Sequence, residues 1–200
     1  MIIKYQKGRG KKIHLLVDEE YKITTDVDFW SEYGVPNGTE IDENEWQSLV
    51  SDINYRKAFN KAADLLSRRS HSAFELKNKL LKTVDLQSAE KAVEKFTELG
   101  YLNDEDFAEE LSEYLFKTKK YSRNRVKQEL IRRGIDREII YRVLSEDDTD
   151  AAESIISIIN KSYLRKLGEE GGKQKVVAAL MRKGFSYSDI KTAFYRMENE

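Results

Sequence analysis

The sequence predicts a mainly α-helical protein: an elongated array of three tandem three-helix repeats, preceded by a small antiparallel β-sheet extension. Three observations carry that expectation. The chain matches itself at an offset of fifty residues, glycines close the matching helices, and period-two alternation of apolar residues is confined to residues 1–45. The divisions that follow are 1–50 for the extension, then 51–100, 101–149 and 150–200 for the repeats.

In the extension, Ile3 and Tyr5, then Ile13, Leu15 and Val17, then Tyr21 and Ile23 alternate with polar residues, the pattern of half-buried strands. Gly8, Arg9 and Gly10 make a loop between the first two strands, and Asp18, Glu19 and Glu20 read as a tight turn between the next two. A short helix falls near residues 26–33, and VPNGTEI returns the chain towards the helical array. A sheet this small is marginal alone and is expected to lean on the first repeat.

The repeats align residue by residue. Ser72, Ser122 and Gly172 fall in register, as do Leu76, Val126 and Val176, and then Leu80, Leu130 and Leu180. An apolar pair at i and i+4 marks one buried helical stripe per copy. Gly134 and Gly184 follow their helices as left-handed stops, which sets Leu130 against Ile135 and Leu180 against Phe185 in Schellman caps. Gly100 repeats the construction with Phe96 and Tyr101, whereas the first copy has Val84 where a glycine is expected. Asp136 and Ser186 then cap the next helices, Ser186 with Asp189 as a capping box. Each copy also has an earlier helix, starting at Asn54, Asn103 and Asp150, for nine short helices in all. The Asn103 helix puts Asp104, Glu105 and Asp106 in its first turn and lysines in its last, the order that suits the helix dipole.

Composition narrows the function. Of 200 residues 36% are charged and 40% apolar, which suits thin packing with much solvated surface. A formal charge of −1 excludes a generally basic nucleic-acid coat, and the absence of Cys excludes disulfides, thiolate metal sites and a Cys nucleophile. No apolar run of 18 residues occurs and MIIKYQKGRGKK has no apolar signal core, so a soluble, cytoplasmic protein is expected. His14 and His71 make neither a metal cluster nor a triad, and a lone His in a strand or at a helix start reads as surface decoration. Neither GxGxxG nor GxxxxGK[ST] is present; Gly168, Gly171 and Gly172 read as a linker. A binding protein without catalytic residue, cofactor or metal is the expectation, with capped ends favouring a monomer.

Charge is segregated along the chain. From Thr97 to Glu113 there are seven acids and no base, whereas Lys119–Arg142 carries nine bases against three acids, a net of +6. The bases are Lys119, Lys120, Arg123, Arg125, Lys127, Arg132, Arg133, Arg137 and Arg142, and the third repeat adds Lys173, Lys175, Arg182 and Lys183. Equivalent positions of stacked repeats point the same way, so 123, 125, 173 and 175 can line one basic face, with Arg68 and Arg69 near the equivalent helix start of repeat one. Two other readings stay open: ordinary solvated helix faces, and a helix-turn-helix whose Arg137 and Arg142 enter a DNA groove.

Three stretches, LLSRRSHSAFELKNKL, ELGYLNDEDFAEEL and KYSRNRVKQELIRRGI, resemble the RecX family of bacterial recombination regulators, and the strands with the D-E-E-Y turn resemble the amino-terminal extension of its Gram-positive type. That resemblance implies a modulator, usually an inhibitor, of the RecA recombinase in DNA repair, homologous recombination and the SOS response. It implies binding in the groove of the RecA–DNA filament, suppression of ATPase, strand exchange and co-protease activity, and no enzymatic activity. Arg68, Arg69, Asp104, Arg125, Leu130 and Gly134 occupy its motif positions, Leu130 and Gly134 as structural residues. Two alternatives are a helical module array that binds single- or double-stranded DNA without RecA and a scaffold for another protein.

Overall fold

In a computed structural model of the chain, residues 1–145 and 150–199 are described. They form two compact units, Met1–Leu102 and Asn103–Glu200. The first opens with strands β1 (Ile2–Lys7), β2 (Lys12–Val17) and β3 (Glu20–Asp26), followed by α1 (Val27–Tyr33) and a short β4 (Thr39–Glu40). They make one antiparallel sheet in the order β3-β2-β1-β4. Asp18 and Glu19 both take left-handed backbone, φ 48 and 71, as the two-residue turn between twisted strands requires. Ile3, Ile13 and Leu15 point to a core shared with Trp30 of α1.

Tyr21 departs from the expected alternation. Leu15 faces Ile23 but Leu16 faces Tyr21, so Lys22 is an extra residue in β3. A bulge of this kind shifts the phase of the pleat, and Tyr21 emerges on the outer face, 60% exposed.

Helix α2 (Glu43–Leu66) begins eleven residues before the expected start at Asn54. Its N-cap is Asp42, in a capping box with Glu45. The helix serves two cores: Leu49 and Ile53 pack under the sheet, while Ala58 and Ala62 pack with α3 (Ala73–Leu80) and α4 (Leu86–Glu98) of the first repeat. Asn54 instead donates its side-chain amide to Asp85, the N-cap of α4, at 2.9 Å.

The second unit holds α5 (Asp104–Tyr114), continued by a π turn over Leu115–Lys119, then α6 (Arg123–Arg132) and α7 (Arg137–Ser145). The third repeat has α8 (Ala151–Ser162), α9 (Leu164–Leu167), α10 (Gly172–Arg182) and α11 (Tyr187–Asn199). The helix expected to run unbroken from Asp150 stops at Tyr163 and restarts as α9, so among the described residues the repeats hold ten helices where nine are expected. Leu76, Leu80, Val126, Leu130, Val176 and Leu180, the residues in fifty-residue register, are all fully buried. Each anchors its own repeat's core.

The glycine stops form as the residue types require. Ile135 N–H donates to Leu130 O at 3.2 Å and Gly134 N–H to Ile131 O at 2.9 Å, the two bonds of a Schellman cap, and Gly184 and Gly100 repeat the pattern with positive φ. Asp136, Ser186 and Asn103 accept the N–H groups of the helices they precede.

His71 is buried, 3% exposed, against the expectation of a surface residue. Its Nδ1–H donates to Arg69 O and its Nε2 accepts from the Lys79 ammonium, both at 2.9 Å. That arrangement needs a neutral ring; burial first, then the charges of Arg69 and Lys79, push its pKa down. A histidine whose folded pKa is lowered stabilises the fold above its unfolded value of about 6.5 and loses that contribution as pH falls through the folded value. Acidification from pH 7.5 to 5.5 is expected to lower the melting temperature of the wild type more than that of His71→Gln. Equal losses would show that His71 is not charged by this transition.

Candidate functional site

Within the second unit, five of the charged residues singled out by sequence, Lys119, Lys120, Arg123, Arg125 and Lys183, converge where repeat two meets repeat three. Ser122 caps α6, its hydroxyl accepting Arg125 N–H at 3.3 Å. Its own N–H donates to Lys183 O at 2.9 Å, satisfying one of the carbonyls that the end of α10 leaves open. In return the Lys183 ammonium donates to Lys119 O at 2.5 Å. Gly184 must be glycine to close this joint: φ is +92, and a Cβ would lie 2.5 Å from Arg125 Cβ and 2.6 Å from Ser122 Oγ.

Tyr121 is the centre of the cluster. The Arg125 guanidinium lies 5.6 Å and the Lys183 ammonium 6.0 Å from its ring centre, and Lys119 lies 5.5 Å from the Tyr114 ring. Glu129, only 8% exposed, pairs with Arg125 at 3.2 Å and with Arg132, so it neutralises that side. Lys119, Lys120 and Lys183 have no carboxylate partner among the described residues. Burial and then the nearby Lys119 and Lys120 charges hold the Lys183 pKa below its ordinary value. The joint is therefore a place where the fold gathers cations without cancelling them, which favours an incoming anion. A cleft of about 550 Å³ opens beside it, walled by Lys120, Arg123 and Asn124 of repeat two, by Ser154, Ser157 and the carboxylate of Glu153 on α8, and by Asp189 of α11.

The remaining bases lie elsewhere. Lys173 pairs with Glu198 at 3.1 Å and sits 4.8 Å from the Phe194 ring. It and the exposed Lys175 occupy the first turn of α10, whereas Lys183 follows its last residue; a helix of 11 residues separates them by about 15 Å. Exposed Arg182 is in the last turn of α10, and Arg133 is half-buried at the end of α6. Lys127 and Arg137 flank a second groove, about 450 Å³, floored by Ile131, Ile140 and Leu144. Arg142 pairs with Glu105 at 3.0 Å, so the acidic and basic segments of repeat two meet in space. Arg68 pairs with Asp64 at 2.8 Å and Arg69 with Glu75 at 3.2 Å, both in the first unit. Asp104 is a first-turn acid of α5, and Leu130, Gly134, Leu180 and Gly184 are structural, as described above.

Sequence reading missed Tyr121 and Glu129. Tyr121 sits just before the Ser122 cap with Val126 at the fourth helical position, a hydrophobic-staple pattern that could have flagged it. Glu129 was visible as the i+4 partner of Arg125.

Family models describing the first, second and third three-helix domains of RecX match residues 58–96, 103–144 and 146–194. The chain belongs to the RecX family. Among curated relatives, the regulatory protein RecX of Clostridioides difficile (strain 630) is 30% identical, over 98% of this chain and 94% of its own. That of Caldanaerobacter subterraneus subsp. tengcongensis is 32% identical over 96% and 95%. In fold the chain is similar to a crystal structure of regulatory protein RecX, with TM-score 0.62 at 22% identity over 96% of this chain and 97% of the other. It is also similar to that of RecX from Lactobacillus salivarius, with TM-score 0.60 at 24% identity over 74% and 98%. The RecX stretch GYLNDEDFAEEL spans the Gly100 stop, the Asn103 cap and the first turns of α5.

Proposed function

We propose that the protein regulates the RecA recombinase as an inhibitor, by lying in the groove of the RecA–DNA filament. The observation that supports this reading is membership of the RecX family across all three helical domains, together with the uncancelled cations gathered at the joint of repeats two and three. Lys119, Lys120, Arg123 and Lys183 meet an acidic lobe of RecA or the DNA phosphates it carries, while Arg125 and Tyr121 hold the joint rigid. Lys127, Arg132, Arg133, Arg182, Lys173, Lys175, Arg68 and Arg69 supply weaker contacts that gain from acting together on one polymer. The work is that of a cytoplasmic monomer, non-catalytic and independent of any cofactor.

Titration of the purified protein into DNA-stimulated RecA ATPase tests this. Inhibition is expected at ratios well below one per RecA protomer, and at concentrations below those needed to bind bare DNA. The competing reading, direct action on DNA, predicts that inhibition tracks occupancy of bare DNA and falls with salt as steeply as that binding does.

A further inference from the structure

The sheet carries a concentration of charge that the helical repeats do not explain. Residues 1–17 hold five bases, Lys4, Lys7, Arg9, Lys11 and Lys12, and no acid, in a chain whose formal charge is −1. Lys4 is paired with Glu19 at the far turn. The other four are exposed and crowd the turn that joins β1 to β2. Lys11 is 3.9 Å from Asp28, at the limit of an ion pair, and Lys7, Arg9 and Lys12 have no carboxylate partner among the described residues. Asp26 lies opposite Lys12 and caps α1, its Oδ1 accepting Phe29 N–H at 2.7 Å.

The turn is anchored rather than loose. Gly8 N–H donates to Lys12 O at 2.8 Å, and Val27 N–H donates to Lys11 O at 3.1 Å. A Cβ at position 8 would meet His14 Nε2 at 2.5 Å, so a side chain there would push the His14 ring aside. Gly10 takes φ +68 with open space around it. The tip thus presents four cations and no apolar residue.

On the outer face of the sheet the His14 ring lies between Gly8 and Tyr21. The two rings meet edge-on at 5.8 Å, and Thr24 Oγ1 joins His14 Nδ1 at 2.7 Å and the Tyr21 hydroxyl at 3.1 Å. Tyr21 is the ring that the β3 bulge turns outward. From Lys12 to Leu16, which Tyr21 faces, the strand covers about 13 Å.

We infer that this hairpin is a single-stranded nucleic-acid contact of its own. The tip cations hold successive phosphates, and Tyr21 offers a face on which a base stacks. Its chemistry narrows the ligand. A protein interface has an apolar, lysine-poor centre, and a membrane anchor needs an apolar face to bury; the tip has neither. A closely repeating anion that also carries flat rings uses both features. This contact needs no RecA and stands apart from the reading above.

The test is fluorescence anisotropy of the full chain with a labelled dT oligomer, without RecA, over a salt series. A Lys7→Ala/Arg9→Ala/Lys11→Ala/Lys12→Ala variant keeps both glycines and alters only exposed residues. Losing four phosphate contacts is expected to flatten the slope of log affinity against log salt by about 3. Tyr21→Ala is expected to weaken binding about tenfold with the slope unchanged, and to leave binding of an abasic oligomer unaltered. An unchanged slope in the fourfold variant, unchanged dT affinity in Tyr21→Ala, or no binding by the wild type at low salt overturns the assignment. Any of these results leaves the ATPase titration free to succeed or fail separately.

Discussion

A Gly172→Ser variant is expected to destabilise the protein by about 3 kcal/mol or more, although the fifty-residue register puts serine at this place in repeats one and two. Ser72 and Ser122 stand just outside their helices, in extended backbone, where the hydroxyl accepts the N–H of the residue three further on. In repeat three that outer position belongs to Gly171, with φ 67, and Gly172 is already the first residue of α10. The extra turn α9 brings the Lys166 carbonyl so close that any Cβ on Gly172 would overlap it. A backbone oxygen cannot rotate away as a side chain can, so α9 and α10 must separate. Urea unfolding measures the loss. Gly168→Ala is the control, since a Cβ there would meet Arg165 O at an ordinary 3.6 Å, and a near-neutral effect is expected. A Gly172→Ser midpoint equal to that of the wild type would contradict the close approach.

The second large effect concerns the cationic joint. Reversing Lys119, Lys120 and Arg123 to glutamate is expected to raise the concentration needed for RecA inhibition by tenfold or more. Lys173→Glu with Lys175→Glu, at the other end of α10, is expected to cost a few-fold at most, because Lys173 already spends its charge on Glu198. Arg125 is left out of the reversal deliberately: it pairs with Glu129 and packs against Tyr121, so its loss would loosen the joint as well as remove a charge. Both variants should keep the wild-type melting temperature within a few degrees. Equal loss in the two, or none in the first, would place the RecA contact elsewhere.

Much of the fold was legible because it rests on local rules. The three Schellman stops and the Ser186–Asp189 box each need only a few consecutive residues to declare themselves, and the buried register from Leu76 to Leu180 shows in the fifty-residue self-match. What escaped depends on contacts remote in sequence or on an inserted residue. The bulge at Lys22 turned Tyr21 outward, and only strand pairing reveals it. The start of α2 was hidden by a run of acids and amides in which Asp42, not Asn54, holds the capping box. His71 gave no sign of burial, because its partner Lys79 reaches it from the next helix. The candidate site was half legible. Its bases were counted correctly along the chain, but their grouping follows from the bond between Ser122 N–H and Lys183 O, sixty-one residues apart. That bond separates Lys183 from Lys173 in role, although both lie in the same basic segment.

Hydrogen exchange of the protein, alone and bound to RecA–DNA filaments, tests the central claim most directly. Added protection is predicted across Lys119–Arg125 and Arg182–Phe185, on both sides of the joint. Protection confined to Arg68–Glu75 or Lys173–Lys175, with the joint exchanging as in the free protein, would contradict it.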